Sequence, residues 1–482
     1  MPTLHGAVLA VALSVLPAPV PPPAAVAPGA DVTPAAVDRV VEEYRAAVAV
    51  PGVAVAVTRG EEILHVAGYG HSPDGAPVTP HSTMATASLS KSFTALAVLQ
   101  LVEDGRLGLD DPLRTHLPDA GSDDPRWARI TLRQLLDQTS GLTDATLPQF
   151  SRPQPDDLAG SVASFRGRAP EHDPGSTWEY YNPNVQIAAR IVEVVSGQPF
   201  ATRLDTHVFG PLGMTDSRTI ATADELPPSA WGHLRVLGRA VALPEPPAFG
   251  TGSGGVLSSA HDLAGWLLAQ SGHRPAVVSP ASITAMHTPS PASGGYGLGW
   301  DTGTTPGGQR SVSHGGDIFT STAHQAVLPD AGIGVAVLAN TGAAHGDAHE
   351  IARRIIALAD RTPSPPPADP GAGIDAALAA VSAGAVALAA AGIRRAPTWA
   401  ARRSSRWGFA FRVIPLLAPV GLLGAMAPVV RTLFRGRDVT WLQAAYLFPA
   451  FTVALAVIAA AATALFVRRV QCWSTRAGRA AP

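Results

Sequence analysis

Apolar residues recur at helical spacing through Leu89, Phe93, Leu96, Leu99 and Val102, and the run stops at Gly105. That period predicts a helix opening at Ser88. A second apolar helix is predicted over about 185–195, ended by Ser196-Gly197. Residues 53–58 form a β-rich run, and Arg59-Gly60-Glu61-Glu62 makes a turn before a second run at 63–66. This pattern reads as a hairpin at the edge of an antiparallel sheet. Late strands are predicted at 311–313, 323–328 and 334–339, followed by a helix over about 351–360. Strands at both ends with helices between them predict one α+β unit, its sheet completed from both ends.

The alternation of apolar and polar positions changes character at the two ends. Residues 6–16 form a short apolar run broken by Pro17 and Pro19, and Ala25-Val26-Ala27 offers small residues for cleavage. No Lys or Arg precedes the run, yet its length suits an export signal over residues 1–28. From Arg361 to Gly373 the chain is rich in proline, a stiff linker at 363–373 after a globular unit at 29–362. Three apolar segments follow at 374–393, 413–430 and 439–467, of which only the first carries a charge, Asp375 at its start. Each is close to the roughly 20 residues a helix needs to cross a bilayer, so 374–482 reads as a membrane region with three transmembrane helices. The first connection and the tail together carry ten arginines, against Arg431, Arg435 and Arg437 in the second connection. The positive-inside rule places the former in the cytoplasm and residues 29–362 outside.

Composition narrows the classes further. Charged residues make up 15% and the net charge is −2, which gives no reason to invoke a nucleic-acid partner. The single cysteine, Cys472, follows the last apolar segment, excluding an intrachain disulfide and thiol catalysis in the middle of the chain. His345, His349 and Glu350 read as a solvated turn before a helix, with no metal or other cofactor called for.

Ser88-Leu89-Ser90-Lys91 places a hydroxyl and an amine one helical turn apart. A lysine in reach can draw off the serine proton, and the helix start favours developing negative charge. Ser90 and Ser92 lack a lysine three residues on. Tyr180-Tyr181-Asn182 supplies a phenol that can relay a proton if nearby cations lower its pKa, and an amide for lysine and substrate. His314-Gly315-Gly316 ends a short strand where glycines permit close approach of a ligand.

These elements, in this order, resemble the serine β-lactamase-related family, which includes class C β-lactamases, DD-peptidases, D-aminopeptidases and some esterases. The resemblance spans about 35–360. It also rests on Pro51-Gly52-Val53, on Gly105-Arg106-Leu107-Gly108-Leu109-Asp110-Asp111-Pro112 and on Leu135-Leu136-Asp137-Gln138-Thr139-Ser140-Gly141-Leu142. Gly254-Gly255-Val256-Leu257-Ser258-Ser259 and Tyr296-Gly297-Leu298-Gly299-Trp300 complete it. It implies a β-lactamase/transpeptidase-like fold, an antiparallel sheet flanked by helices plus a helical subdomain. It implies that Ser88 is acylated, that Lys91 and Tyr180 share proton transfers, and that Asn182, His314 and Gly316 meet the substrate. The oxyanion hole would use the backbone N–H groups of Ser88 and Asp317.

The third motif departs from the family pattern of Lys-Thr-Gly, because His314 and Gly315 replace the lysine and the hydroxyl. A histidine is mostly neutral at pH 7, so the expectation is that small esters or neutral amides outpace penicillins, with nearby Arg310 as the compensating cation for a substrate carboxylate and a protonated His314 serving only at acid pH. The function expected is an exported, membrane-anchored serine hydrolase acting on a small-molecule or peptide substrate, cell-wall-derived peptides among them. The alternative is a catalytically silent sensor or binding protein on the same fold. Oligomeric state is not legible.

Overall fold

The computed structural model describes residues 31–274, 277–344, 346–403, 405–433 and 436–479, so the expected export signal lies outside the described residues. Helix α1 (Pro34–Val48) starts on Thr33, whose hydroxyl accepts the Ala36 amide. Strands β1 (Gly52–Arg59) and β2 (Glu62–Gly70) form the early hairpin. Helix α2 (Ser90–Glu103) follows a one-turn 3-10 segment over Ala87–Leu89, and α3 (Asn182–Ser196) ends on Gly197 in the left-handed conformation. Helix α4 (Ala260–Gln270) precedes β3 (Asp301–Thr304), β4 (Arg310–Asp317), β5 (Thr322–Leu328) and β6 (Ile333–Ala339). Helix α5 (Asp347–Ala359) closes the unit, and short helices between α2 and α4 build the helical subdomain.

The six strands lie in the order β2-β1-β6-β5-β4-β3, every pair antiparallel. β1 pairs with β6 from Val53↔Ala339 to Arg59↔Ile333, so the early hairpin closes onto the last strand as its pattern predicts. Side chains alternate across a strand. Val53, Val55 and Val57 pack with α1 and α5, while Ala54 and Ala56 face the core shared with α2 and α4. Both faces are covered, which is why β1 reads as an unbroken apolar run.

Helix α2 is buried all round, including Ser90, Lys91, Ser92 and Thr94. A helix without a solvated face needs partners for its polar groups. Gln325 of β5, 0% exposed, supplies one. Its Nε2 donates to Ser92 Oγ at 3.1 Å and its Oε1 accepts Trp266 Nε1 at 2.9 Å. Trp266 in turn lies 4.1 Å from Phe93, ring centre to ring centre. Sheet, α4 and α2 are thereby tied at one point behind the serine.

The membrane region departs in detail from the apolar segmentation. Helix α6 (Pro370–Ala401) begins inside the expected linker, capped by Asp369. The second segment is not one helix. It runs as α7 (Arg406–Val413), a 3-10 turn over Ile414–Leu417, α8 (Ala418–Gly424) and α9 (Met426–Leu433). Pro415, Pro419 and Pro428 remove amide donors and crowd the preceding turn, which fragments it. Pro449 likewise separates α10 (Trp441–Leu447) from α11 (Pro449–Arg479). Three stretches, Gly371–Ala401, Arg406–Gly424 and Pro449–Arg476, are long and apolar enough to cross a membrane. The two ends of this bundle differ. Arg403 and Arg469 stack on Trp399, Phe409 on Trp473, and Arg476 Nη1 donates to the Ala400 carbonyl, joining the first connection to the tail. The second connection lies instead against the globular unit, where Tyr446 donates to the Pro244 carbonyl at 3.1 Å.

Replacing Gln325 with Leu strands Trp266 Nε1 and removes the donor to Ser92, costing about 1–3 kcal/mol. Thermal melting of Gln325→Leu, followed by tryptophan fluorescence, should show a midpoint several degrees lower. An unchanged midpoint would mean that neither polar group depends on Gln325.

Candidate active site

The local sequence decides which serine faces the cleft. Ala87 holds φ +48°, a strained conformation for a residue with a Cβ, immediately before Ser88. Ser90 Oγ donates to the Ala87 carbonyl at 2.6 Å and accepts the Val256 amide at 3.0 Å, and Ser92 Oγ donates to the Leu89 carbonyl at 2.6 Å. Both hydroxyls are spent on holding the turn. Ser88 alone of the three lines the cleft.

Lys91 is 0% exposed, with Nζ 2.9 Å from Ser88 Oγ and donating to the Ser253 carbonyl at 2.8 Å. Burial, and then the nearby charge of Arg437, push its pKa well below the usual lysine value. An amine so placed is disposed to be uncharged, and a neutral amine is a base. Tyr180 lines a cavity together with Ser88 and has Nζ of Lys91 4.7 Å from its ring centre. Its phenol is pushed up by burial, an effect larger than the lowering by nearby Ser88 and Arg437. The condition set for a proton relay, a phenol lowered by neighbouring cations, is thus not met: desolvation outweighs the cations, and the phenol beside Lys91 is disposed to keep its proton.

Three residues stand differently from expectation. Asn182 does not hydrogen-bond Lys91 among the described residues. Its Nδ2 donates to Gln149 at 2.9 Å, its Oδ1 is buried without a partner, and the Ser253 carbonyl holds the lysine in its place. His314, 3% exposed, has both ring nitrogens engaged. The Gly315 carbonyl, 2.6 Å from Nδ1, can only accept, so Nδ1 carries the proton and Nε2 accepts the Tyr296 hydroxyl at 2.8 Å. Burial, then Lys91, push the imidazole down to about 3, so the neutral form expected at pH 7 is favoured at mildly acid pH as well. Arg310 does not line either cavity beside Ser88. The cation that does is Arg437, from the loop between α9 and α10.

Gly316 has a positional role. A Cβ there would meet the Thr86 carbonyl at 2.4 Å, so only glycine lets β4 run this close to the turn bearing Ser88. Asp317 follows at the strand end and lines the same cavities as Ser88. Glu245 fixes the next turn, accepting the amides of Phe319 at 2.8 Å and Thr320 at 2.9 Å.

Other supports went unmarked as site residues because their partners are distant in sequence. Gln138, at φ +65°, accepts the Tyr181 amide at 2.9 Å and the Asn184 side chain at 2.8 Å, and Ser140 donates to Asn184 at 2.7 Å. The Leu135–Leu142 motif is thus the mount for the tyrosine loop. Gly299, at φ +77°, would place a Cβ 2.9 Å from the Lys91 carbonyl, which explains its place in the Tyr296–Trp300 motif.

Two cavities flank Ser88. One, about 110 Å³, is mostly apolar, with Ala85, Ile220, Leu226, Phe249 and Leu257 in its wall. The other, about 420 Å³, has Tyr180, His314, Asp301, Asp317 and Arg437. A carbonyl group seated on Ser88 would have an apolar substituent on one side and a polar one on the other. Of the histidines first considered for a metal, His345 lies outside the described residues and His349 faces His324 at 3.3 Å, while Glu350 pairs with Arg353 and Arg354. His81, Asp216 and His261 bring ligand atoms within 4.8 Å of one another on the surface. His81 is already hydrogen-bonded to Asp216 at 2.8 Å.

Comparison with known proteins agrees with this geometry. The model of the family described as Beta-lactamase matches residues 37–360. The chain is similar to Protein flp of Staphylococcus aureus, 26% identical over 313 residues, covering 63% of this chain and 62% of that protein. It thus spans less than two thirds of that relative's length. Among solved structures it resembles the octameric penicillin-binding protein homologue from Pyrococcus abyssi, with TM-score 0.58 and 28% identity, over 67% of this chain and 76% of that one. It shares its fold with the D-alanine carboxypeptidase AmpC from Burkholderia cenocepacia, with TM-score 0.54 and 22% identity, over 67% of this chain and 97% of that one.

The neutral His314 generates a prediction. Nitrogen NMR of the His314 ring should show the neutral tautomer protonated at Nδ1 throughout pH 5.5–8. Titration of that ring with a midpoint in this window would overturn the assignment and restore the protonated-histidine reading.

Proposed function

Since the chain belongs to the β-lactamase family of serine hydrolases, we propose that it forms an acyl-enzyme on Ser88 and hydrolyses an ester, amide or lactam outside the cytoplasmic face of a membrane. The observation that carries this reading is the fully buried Lys91 amine 2.9 Å from Ser88 Oγ. Neutral Lys91 takes the hydroxyl proton as Ser88 Oγ attacks the substrate carbonyl carbon. Negative charge moves to the carbonyl oxygen, which the backbone N–H groups of Ser88 and Asp317 are to receive. Such donors are typically worth about 2.7–4 kcal/mol each in the transition state. As the tetrahedral species collapses, the bond to the leaving group breaks. Tyr180 gives that group its proton and is reprotonated from the lysine ammonium. Water then attacks the acyl ester by the same route in reverse, releasing the acid and restoring Ser88. No cofactor is called for.

The catalytically silent reading fares worse. Lys91 is hydrogen-bonded to Ser88 and lies 4.7 Å from the Tyr180 ring centre, and a binding protein has no need of a buried amine against a serine hydroxyl. Ser88→Ala, in the full-length protein, should abolish labelling by a fluorophosphonate that the unmodified protein accepts. Equal labelling of both would remove Ser88 as nucleophile.

Localisation is part of the same proposal. The arginine asymmetry of the connections supports a cytoplasmic tail and an external catalytic unit. The packing of the second connection against the catalytic unit is what that topology requires, because both then lie on one side of the membrane. Cys472, the single cysteine, should escape a membrane-impermeant thiol reagent in intact cells and react after lysis. Labelling before lysis would invert the topology.

A further inference from the structure

The loop at 436–440, between α9 and α10, does more than touch the catalytic unit. Asp438, 6% exposed, accepts the amides of Phe150 and Ser151, each at 2.6 Å, and Arg431 at 2.9 Å. Its own amide donates to Asp144 at 3.0 Å. Phe150 is a wall of both cavities beside Ser88. The neighbouring residue, Arg437, places its guanidinium carbon 5.9 Å from the Tyr180 ring centre and lines the larger cavity. Its Nε lies 3.6 Å from Asp144, and among the described residues its Nη atoms have no hydrogen bond. The side chain is 42% exposed.

We infer that Arg437 is the specificity-determining cation of this site, delivered by the membrane region, and that it receives a carboxylate on the substrate. The inference rests on the hydrolase reading above and deepens it. A guanidinium held through Nε keeps its two-pronged Nη edge free, the geometry that pairs with a carboxylate through two bonds. His314 cannot serve, since its nitrogens are spent on Gly315 and Tyr296. The anchor is also specific. A carboxylate that caps two amides of the cavity wall fixes the loop in register, so Arg437 is positioned by its neighbour rather than left on a free surface. Asp301 and Asp317 line the same cavity, so a ligand amine is the competing chemistry.

The test uses the full-length protein in detergent or lipid nanodiscs and three nitrophenyl esters of one acyl skeleton, differing in a carboxylate, a neutral group or an amine. The quantity read is the ratio of kcat/KM for the carboxylate ester to that for the neutral ester. Losing a charged hydrogen bond should lower this ratio about 10- to 150-fold in Arg437→Gln. Arg437→Lys should recover part of it, since a lysine keeps the charge and loses the fork. Asp438→Ala, which leaves the arginine but removes its anchor, should lower the ratio in the same direction. An unchanged ratio in Arg437→Gln, with Ser88 still labelled by fluorophosphonate, overturns the inference and leaves the hydrolase reading standing. Preference of the unmodified protein for the amine ester overturns it also, assigning the cavity to Asp301 and Asp317. Absence of both labelling and ester turnover overturns the hydrolase reading and this inference together.

Discussion

An amine with no exposed surface, pressed against a serine hydroxyl, is the constraint on which the rest of this structure turns. Taking an ammonium out of water is costly unless it is paired, and no carboxylate hydrogen-bonds or ion-pairs with Lys91 among the described residues. The site resolves the conflict by favouring the uncharged form. Burial does most of that, and the positive field of Arg437 adds to it. The surroundings follow from the need to keep water out and the geometry fixed. Helix α2 gives up a solvated face, Gln325 takes up the polar groups of Ser92 and Trp266, and Gly316 lets β4 close against the turn. The tyrosine beside the lysine stays protonated for the same reason that the lysine loses its proton. Low polarity disfavours charge on either group, so the two can pass one proton between them.

Much of this was legible in the sequence where the signal is local. Helix α2, the stop at Gly197, the early hairpin and the last three strands each follow from periodicity over a short window, with ends shifted by a few residues. The order of motifs was enough to bring Ser88, Lys91 and Tyr180 together. What was not legible depends on partners far apart in the chain. Nothing near Asn182 shows that its amide turns to Gln149, and nothing near Ser253 marks its carbonyl as the lysine's acceptor. For position 314 a mostly neutral histidine at pH 7 was legible, but not how far burial and the Tyr296 bond extend that neutrality toward acid pH. In the membrane region composition gave the number of spans, while the prolines decided where the helices break.

The loop at 436–440 joins two parts of the chain that composition had separated. By apolar segmentation residues 374–482 are an anchor, and the second connection is a short stretch between spans. In the structure that stretch carries one residue that caps the cavity wall and one that lines the cavity. The link between the C-terminal helices and the globular unit, and the shape of the site, are therefore set by the same few residues. A substrate reaching Ser88 passes a wall built partly from the anchor.

This arrangement also gives a physical reason for the histidine in the third motif. The larger cavity already has Arg437 in its wall and, behind Ser88, an amine whose burial disfavours its charged form. A lysine at position 314 would put a further positive charge within the low-polarity interior that holds the imidazole down to about 3. Desolvation and like-charge repulsion would both oppose it. A neutral imidazole instead bonds Tyr296, whose ring packs against that of Tyr180 at 6.3 Å, so position 314 supports the placement of Tyr180. Charge recognition can leave the strand only if another element supplies it from solvent, where a guanidinium costs little to keep ionised. The loop from the membrane region meets that condition, since Arg437 is partly exposed and braced by Asp144. On this argument the histidine and the arginine are one solution to one electrostatic problem, although they stand 123 positions apart in the sequence.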